Sequence, residues 1–302
     1  MDRRRALLSL IEYRQTEPSI PNNQIWYTSS NGKVVTPYKT NVFGANISSN
    51  TYTDGMGIIT FDGDVTMIGD LAFYNLINLT NVTIPNSVTT IGNDVFGYCH
   101  SLTNVTIPNS VTSIGVSVFN GCYSLKEFKG KFADEDGRSL IVDNTIIAYA
   151  YASGNTYNIP NSVTTIEEYT FSDCDNLISV NIPDSVTTIG EGALCYCNSL
   201  TSVNIPNSVT SIRYYAFQGC TSLTSVTIGN NVKTIGDYAF DECTSLTSVY
   251  CKAITPPTLS YSNVFDNNGS GRKIYVPVGS VNAYKSATRW SEYADAIVGY
   301  NF

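Results

Sequence analysis

Charge is scarce in this chain. Asp, Glu, Lys and Arg make up 14% of its 302 residues, with 17 Lys and Arg against 25 Asp and Glu. A net charge of −8 argues against a nucleic-acid partner, whose phosphates are held by clustered Lys and Arg. Histidine is limited to His100, and none of H-E-x-x-H, G-x-S-x-G or G-x-x-x-x-G-K-[ST] occurs. The common zinc-protease, hydrolase and phosphate-loop chemistries therefore have no motif to rest on. No apolar run approaches the ~20 residues of a membrane span. The opening MDRRRALLSLIEYRQ has the basic start of an export signal. Its apolar stretch, Ala6 to Ile11, is shorter than the ~7–15 residues of a signal core, so it reads as a short amphipathic helix. Disorder is excluded as well, because 42% of the residues are hydrophobic. The surface must then be built largely from Ser, Thr, Asn and Tyr.

What the chain has in place of charge is a repeat. An isoleucine in TIP, NIP or TIG recurs at Ile84, Ile107, Ile159, Ile182, Ile205 and Ile228, with Phe61 at the same offset before them. The spacing is 23 residues except between Ile107 and Ile159, where two repeats carry six extra residues. The unit reads L-T-S-V-x-I-P-N-S-V-T-x-I-G-x-x-A-F-x-x-C-x-S. Alternating β-formers such as Val226 and Ile228 predict a short strand with one buried face. Pro85, Pro108, Pro160, Pro183 and Pro206 end it, because proline has no N–H for the ladder. Asn-Ser turns the chain. Val88 and Ile91 mark a second short extended run, and A-F-x-x-C should pack inward on a helical or 3-10 turn.

The L-x-x-V-x-I rhythm at this period is that of leucine-rich repeats. The form IPNSVTSIGxxAFxxCxSLTSV, from about Phe61 to Cys251, resembles the BspA-like leucine-rich repeats of bacterial surface proteins. The fold expected is an α/β repeat solenoid. It has 23-residue coils, a concave parallel β-sheet, short helical turns, one hairpin insertion and a cap at each end. The resemblance implies extracellular adhesion, with a host or partner-cell protein as partner and a cell-surface or secreted location. The missing export signal leaves a cytoplasmic location open.

A solenoid exposes an apolar cross-section at each end. Residues 1–60 should cap the first coil, with strands over 24–29 and 33–37 flanking an Asn31-Gly32 hairpin turn, and Ile25, Tyr27, Val34 and Val35 facing the core. Residues 61–251 form the solenoid. Residues 252–302 should supply a strand at 274–276, helices capped by Ser280 and Ser291, and Trp290 as a plug. Residues 130–158 replace one coil's usual sequence with SLIVDNTIIAYA. This predicts a hairpin around Asp143-Asn144 that lies along the convex side.

Six of eight cysteines fall at one repeat offset, where the first coil has Leu76. A slot that accepts leucine is apolar, so these read as reduced, buried thiols. Zinc needs four convergent ligands, and a ladder presents its thiols in a line. Cys195 lies two residues before the slot and is expected at the surface. A Cys99–His100 dyad lacks a third orienting group. Acidic pairs such as Asp241-Glu242 and Asp173 with Asp175 read as solvated turns. No cofactor or metal is implied, and the chain is not expected to be an enzyme.

Two binding surfaces remain. The outward concave positions are Asn81, Thr83, Asn104, Thr106, Glu127, Lys129, Ser179, Asn181, Ser202, Asn204, Ser225, Thr227, Ser248 and Tyr250. They form a flat, polar face of short side chains. The second surface is a tyrosine strip, Tyr169, Tyr196, Tyr214, Tyr215 and Tyr238 with Tyr98, beside the A-F turns. Those rings either cover the turns or offer a rigid amphipathic contact. The function expected is non-enzymatic binding or adhesion. An assembly module of a larger surface complex and a carbohydrate-binding protein are the alternatives.

Overall fold

The structure, a computed structural model, describes residues 20–302; the expected N-terminal helix lies outside them. Each coil contributes a rung to three parallel ladders. The first is the long-strand ladder. Leu79–Thr83, Asn104–Ile107 and Glu127–Gly130 pair in register on one side of the insertion. Ser202–Ile205, Ser225–Ile228, Ser248–Cys251, Lys273–Pro277 and Ile297–Tyr300 pair on the other. Alternation does the sorting: Val203 and Ile205 are buried while Ser202 and Asn204 face out. The second ladder is built of two-residue strands from the V-T-x-I stretch, for example Thr188–Ile189 on Ser211–Ile212.

The third ladder joins the A-F turns. Phe96 N–H donates to the Val118 carbonyl, and Phe217 N–H to the Ala239 carbonyl. No helix forms there. Two backbone positions in each coil, ten and fourteen residues after the anchor, take left-handed φ, as at Asp94 and Tyr98 or Tyr215 and Gly219. A left-handed residue every fourth position stops helical propagation, so the expected helical turns become tight turns. Inward, the phenylalanines stack: Phe73 on Phe96 and Phe96 on Phe119 at 5.5 and 5.4 Å, then Phe217 on Phe240 and Phe240 on Phe265 at 5.2 and 5.5 Å. Each buried ring contributes roughly 2–3 kcal/mol.

The insertion departs from expectation. Ser139–Val142 and Thr145–Tyr149 do form an antiparallel hairpin, with left-handed Asp143 and Asn144 at its turn. It does not lie along an outer side. Thr145 and Ile146 pair with Thr165 and Ile166 as the first rung of the second array's short-strand ladder. Ile146 and Tyr149 belong to the core that runs to Ile297. Leu140, Ala148 and Ala150 belong to the core that starts at Ile25. The hairpin is therefore a partition whose residues serve both cores. Burial of its apolar residues on both sides outweighs exposure on a convex surface. Arg138 pins it, donating to Tyr149 Oη at 2.8 Å and to the Thr156 carbonyl, with its guanidinium 4.8 Å from the Tyr157 ring centre.

The caps also differ in detail. Gln24–Ser29 pairs with both Met56–Phe61 and Leu79–Thr83. No free edge remains on it, so residues 33–37 form no strand, and Val34 is exposed while Val35 is buried. At the other end, Lys273–Pro277 is a strand and Trp290 is fully buried, donating to the Pro257 carbonyl at 2.7 Å. Ser280 precedes the Val281–Ser286 helix without a side-chain cap bond. Ser291 lies inside the 3-10 turn Trp290–Ala296, whose cap position is Arg289.

Candidate binding surfaces

The repeated thiols are interior groups. Cys99, Cys122, Cys197, Cys220 and Cys243 each donate S–H to the backbone carbonyl 26 residues earlier, at 3.0 to 3.1 Å. Burial pushes the Cys99 thiol up to about 12. All eight cysteines are free and buried. That includes Cys195, expected at the surface, whose thiol lies 3.3 Å from Ser172 Oγ and is raised to about 11 by burial. Its offset stacks between the turns of neighbouring coils, which sequence position alone does not reveal. Cys99 faces the core while His100 is exposed and stacks on Tyr123 at 5.1 Å, so the two form no dyad. Among the described residues no group of three or more His, Cys, Asp or Glu is placed to hold a metal ion.

The strand face splits into two halves. In the first, Asn81 donates to Asn104 at 2.7 Å and Lys129 pairs with Glu127 at 2.9 Å. Thr83 and Thr106 are half-buried beside them. In the second, Ser179, Asn181, Ser202 and Asn204 are exposed and Ser225, Thr227 and Ser248 half-buried. Tyr250 ends that half in a cluster which the repeat pattern does not announce. It stacks on Tyr275 at 4.7 Å and meets Tyr300 at 5.5 Å, and Tyr300 meets Phe302 at 5.1 Å. Tyr275 and Tyr300 belong to cap strands, outside the repeat, so only strand pairing brings them together with Tyr250.

The tyrosine strip is anchored by the left-handed turns. Tyr98, Tyr169, Tyr196, Tyr215 and Tyr238 all have positive φ. Their rings lie over the next coil at the same offset. A methyl group on Gly121 would stand 2.8 Å from Tyr98, one on Gly192 2.4 Å from Tyr169, and one on Gly219 2.4 Å from Tyr196. Where the next coil has tyrosine instead, the rings stack, Tyr215 on Tyr238 at 5.4 Å. The rings cover the turns, while Tyr98, Tyr123, Tyr196 and Tyr214 keep 38 to 45% of their surface in water. Tyr38, Tyr74 and Tyr123, absent from the expected strip, extend it through Tyr98 and His100 to the buried Tyr151 as one chain of ring contacts.

Carboxylates accompany these rings. Asp94 is raised above its usual range by burial and then by Asp70, and Glu168 by burial and then by Glu167 and Glu191. Burial and then Glu191 raise Tyr169 to about 12. Asp241, read as solvated, is 5% exposed and accepts from Gln218 and Asn267. Among the described residues the ion pairs are Lys129–Glu127 and Arg138–Asp136, neither on this turn face.

A sequence model of the family described as BspA type leucine rich repeat region matches six copies over residues 22–133 and 144–274. No curated protein sequence matches the chain. Among solved structures, the pneumococcal vaccine antigen PcpA is 18% identical, with 79% of this chain and 78% of that chain covered, at a TM-score of 0.57. A leucine rich cell surface protein of Faecalibacterium prausnitzii is 23% identical over 79% of this chain and 81% of that chain, at 0.49. A leucine-rich repeat protein of Bacteroides ovatus is 28% identical over 76% of this chain, at 0.45, and this chain spans 62% of its length. The similarity to PcpA is one of fold. No helix among the described residues is long and apolar enough to cross a membrane.

Proposed function

Since the chain belongs to the BspA-type leucine-rich repeat family, we propose that it is a non-enzymatic binding protein of a cell surface, docking a protein partner on its tyrosine-bearing turn face. The observation that carries this reading is the pairing of rows on that face. Exposed tyrosines sit on rigid left-handed turns, beside Asp94, Glu168 and Asp173, which form no ion pair among the described residues, although Arg213 partly offsets Glu168. Tyrosine gives contact area at small entropic cost. Unpaired carboxylates favour a basic surface and speed its arrival. The partner is a protein whose contact surface is rich in Lys and Arg.

Biolayer interferometry against purified extracellular proteins of graded isoelectric point tests this. Binders should be basic, and affinity should fall as salt rises. Tyr98→Ala and Tyr214→Ala should each weaken binding by about 1–2 kcal/mol, Tyr214→Ala without lowering the melting temperature appreciably and Tyr98→Ala with some loss of stability, since its ring covers the Gly121 turn. Binding that is indifferent to salt and to both variants would remove the turn face as the docking surface.

A further inference from the structure

We infer that the strand face carries a separate slot for a neutral sugar ring, beside Tyr250. This goes beyond the protein-docking reading and uses the opposite side of each coil's chemistry: rings with hydroxyls in place of rings with carboxylates.

Tyr250 is held from one side only. Tyr275 stands in register with it on the next rung, and the two rings lie 4.7 Å apart at 13°. Tyr300 closes their edges, 5.5 Å from each. Tyr250 therefore cannot swing, and its second face is turned toward the preceding rung. The residue opposite it there is Thr227, and beyond that Asn204. Neither side chain is long enough to cover a six-membered ring. With rungs ~4.8 Å apart, only the short Thr227 side chain stands between Tyr250 and Asn204 two rungs away, which leaves room there for a flat ring against the aromatic face.

The chemistry of the aromatic wall and of the polar floor beside it selects the ligand. An aromatic face is electron-rich and attracts the weakly positive C–H groups on the flat side of a pyranose. The floor residues Ser202, Asn204, Ser225 and Thr227 use no side-chain hydrogen bond among the described residues. Asn81 and Asn104 at the other end of the face bond to each other. The donors and acceptors of Ser202, Asn204, Ser225 and Thr227 are thus available to sugar hydroxyls. No outward position from Ser179 to Tyr250 on these strands is charged; Lys273, exposed opposite Ser248, belongs to the following rung, on the other side of Tyr250 from Thr227. An acidic or basic ligand would find no counter-charge on the floor, and a purely apolar ligand would strand these polar groups. Ligand sites of this kind combine an aromatic surface with a few placed polar groups.

Titration calorimetry with the intact chain tests the slot. The probes are hexasaccharides of β-1,4-glucose, α-1,4-glucose, mannose and N-acetylglucosamine, with sialyllactose as the charged control. At least one neutral hexasaccharide should bind. Tyr250→Ala should weaken it about tenfold or more. Thr227→Tyr, which continues the ring stack into the slot and keeps the coil intact, should abolish it. Tyr214→Ala, on the turn face, should leave it unchanged. The slot is refuted by no binding of any neutral probe at millimolar concentration, by preference for sialyllactose, or by undiminished binding to a folded Thr227→Tyr protein. Loss of a basic protein partner in Tyr250→Ala with no sugar binding would assign this cluster to protein contact and refute it equally.

Discussion

Cys220 fills the inner end of its coil and donates its S–H to the Leu194 carbonyl at 3.1 Å. Alanine would leave a small cavity and an unpaired carbonyl, so Cys220→Ala should cost ~1–2 kcal/mol in chemical denaturation, with ligand binding unaltered. Full stability combined with lost binding would mean that the thiol has a direct role. Leu76 at the equivalent offset of the first coil shows only half of what the position offers, because leucine supplies volume without the donor. The same burial makes a prediction about pH. Cys99 is raised to about 12, and Cys195 and Cys251 to about 11, from an ordinary 9.0. A raised folded-state value keeps the thiol protonated in the fold while the unfolded chain ionises. These groups therefore leave stability undisturbed below pH 9 and subtract from it as pH rises from about 9 toward 12. A melting temperature that held constant across that window would contradict their burial.

At the level of elements, the alternation of Val and Ile, the strand-ending prolines and the plug Trp290 were legible in the sequence because each follows from local periodicity or backbone chemistry. What was hidden depended on partners distant in the chain. The Asp143-Asn144 turn was legible, but the hairpin's place between two cores was not, because its alternating faces suit a partition and a surface flap equally. The residues 33–37 failed to form a strand because Gln24–Ser29 already had two neighbours. The left-handed columns were invisible because they are filled by Tyr, Asp, Ser, Leu and Gly alike. Tyr275 and Tyr300 joined Tyr250 only through strand pairing in the cap. At the hairpin, Arg138 is the group with most to lose. Arg138→Ala removes bonds to Tyr149, Ser153 and Thr156 and the ring contact with Tyr157. It should cost ~2–3 kcal/mol and split urea unfolding into two transitions, one for each core. A single transition at reduced midpoint would show that the cores stay coupled without it.

At the scale of the whole molecule, the coils are near-equivalent units. Deleting residues 183–205 joins Ile182 to Pro206 and restores the repeat's own sequence, so every inward side chain keeps its neighbours. The shortened protein should fold and melt cooperatively at a somewhat lower temperature. A deletion one residue shorter would leave a 24-residue coil at the junction, put that coil's strand out of step with its neighbours, and should melt at a clearly lower temperature than the 23-residue deletion. If both deletions fold alike by circular dichroism and calorimetry, stacking in register is not what holds the array together. The ladders also give the chain the character of a graduated scale. Within each array, moving from one coil to the next advances each feature by ~4.8 Å. The spacing between the Tyr250 slot and the Tyr98–Tyr123 end of the strip can therefore change only by whole divisions. A chain that gained or lost coils between them would be matched to ligands of a different length, with the chemistry at either end left as it was.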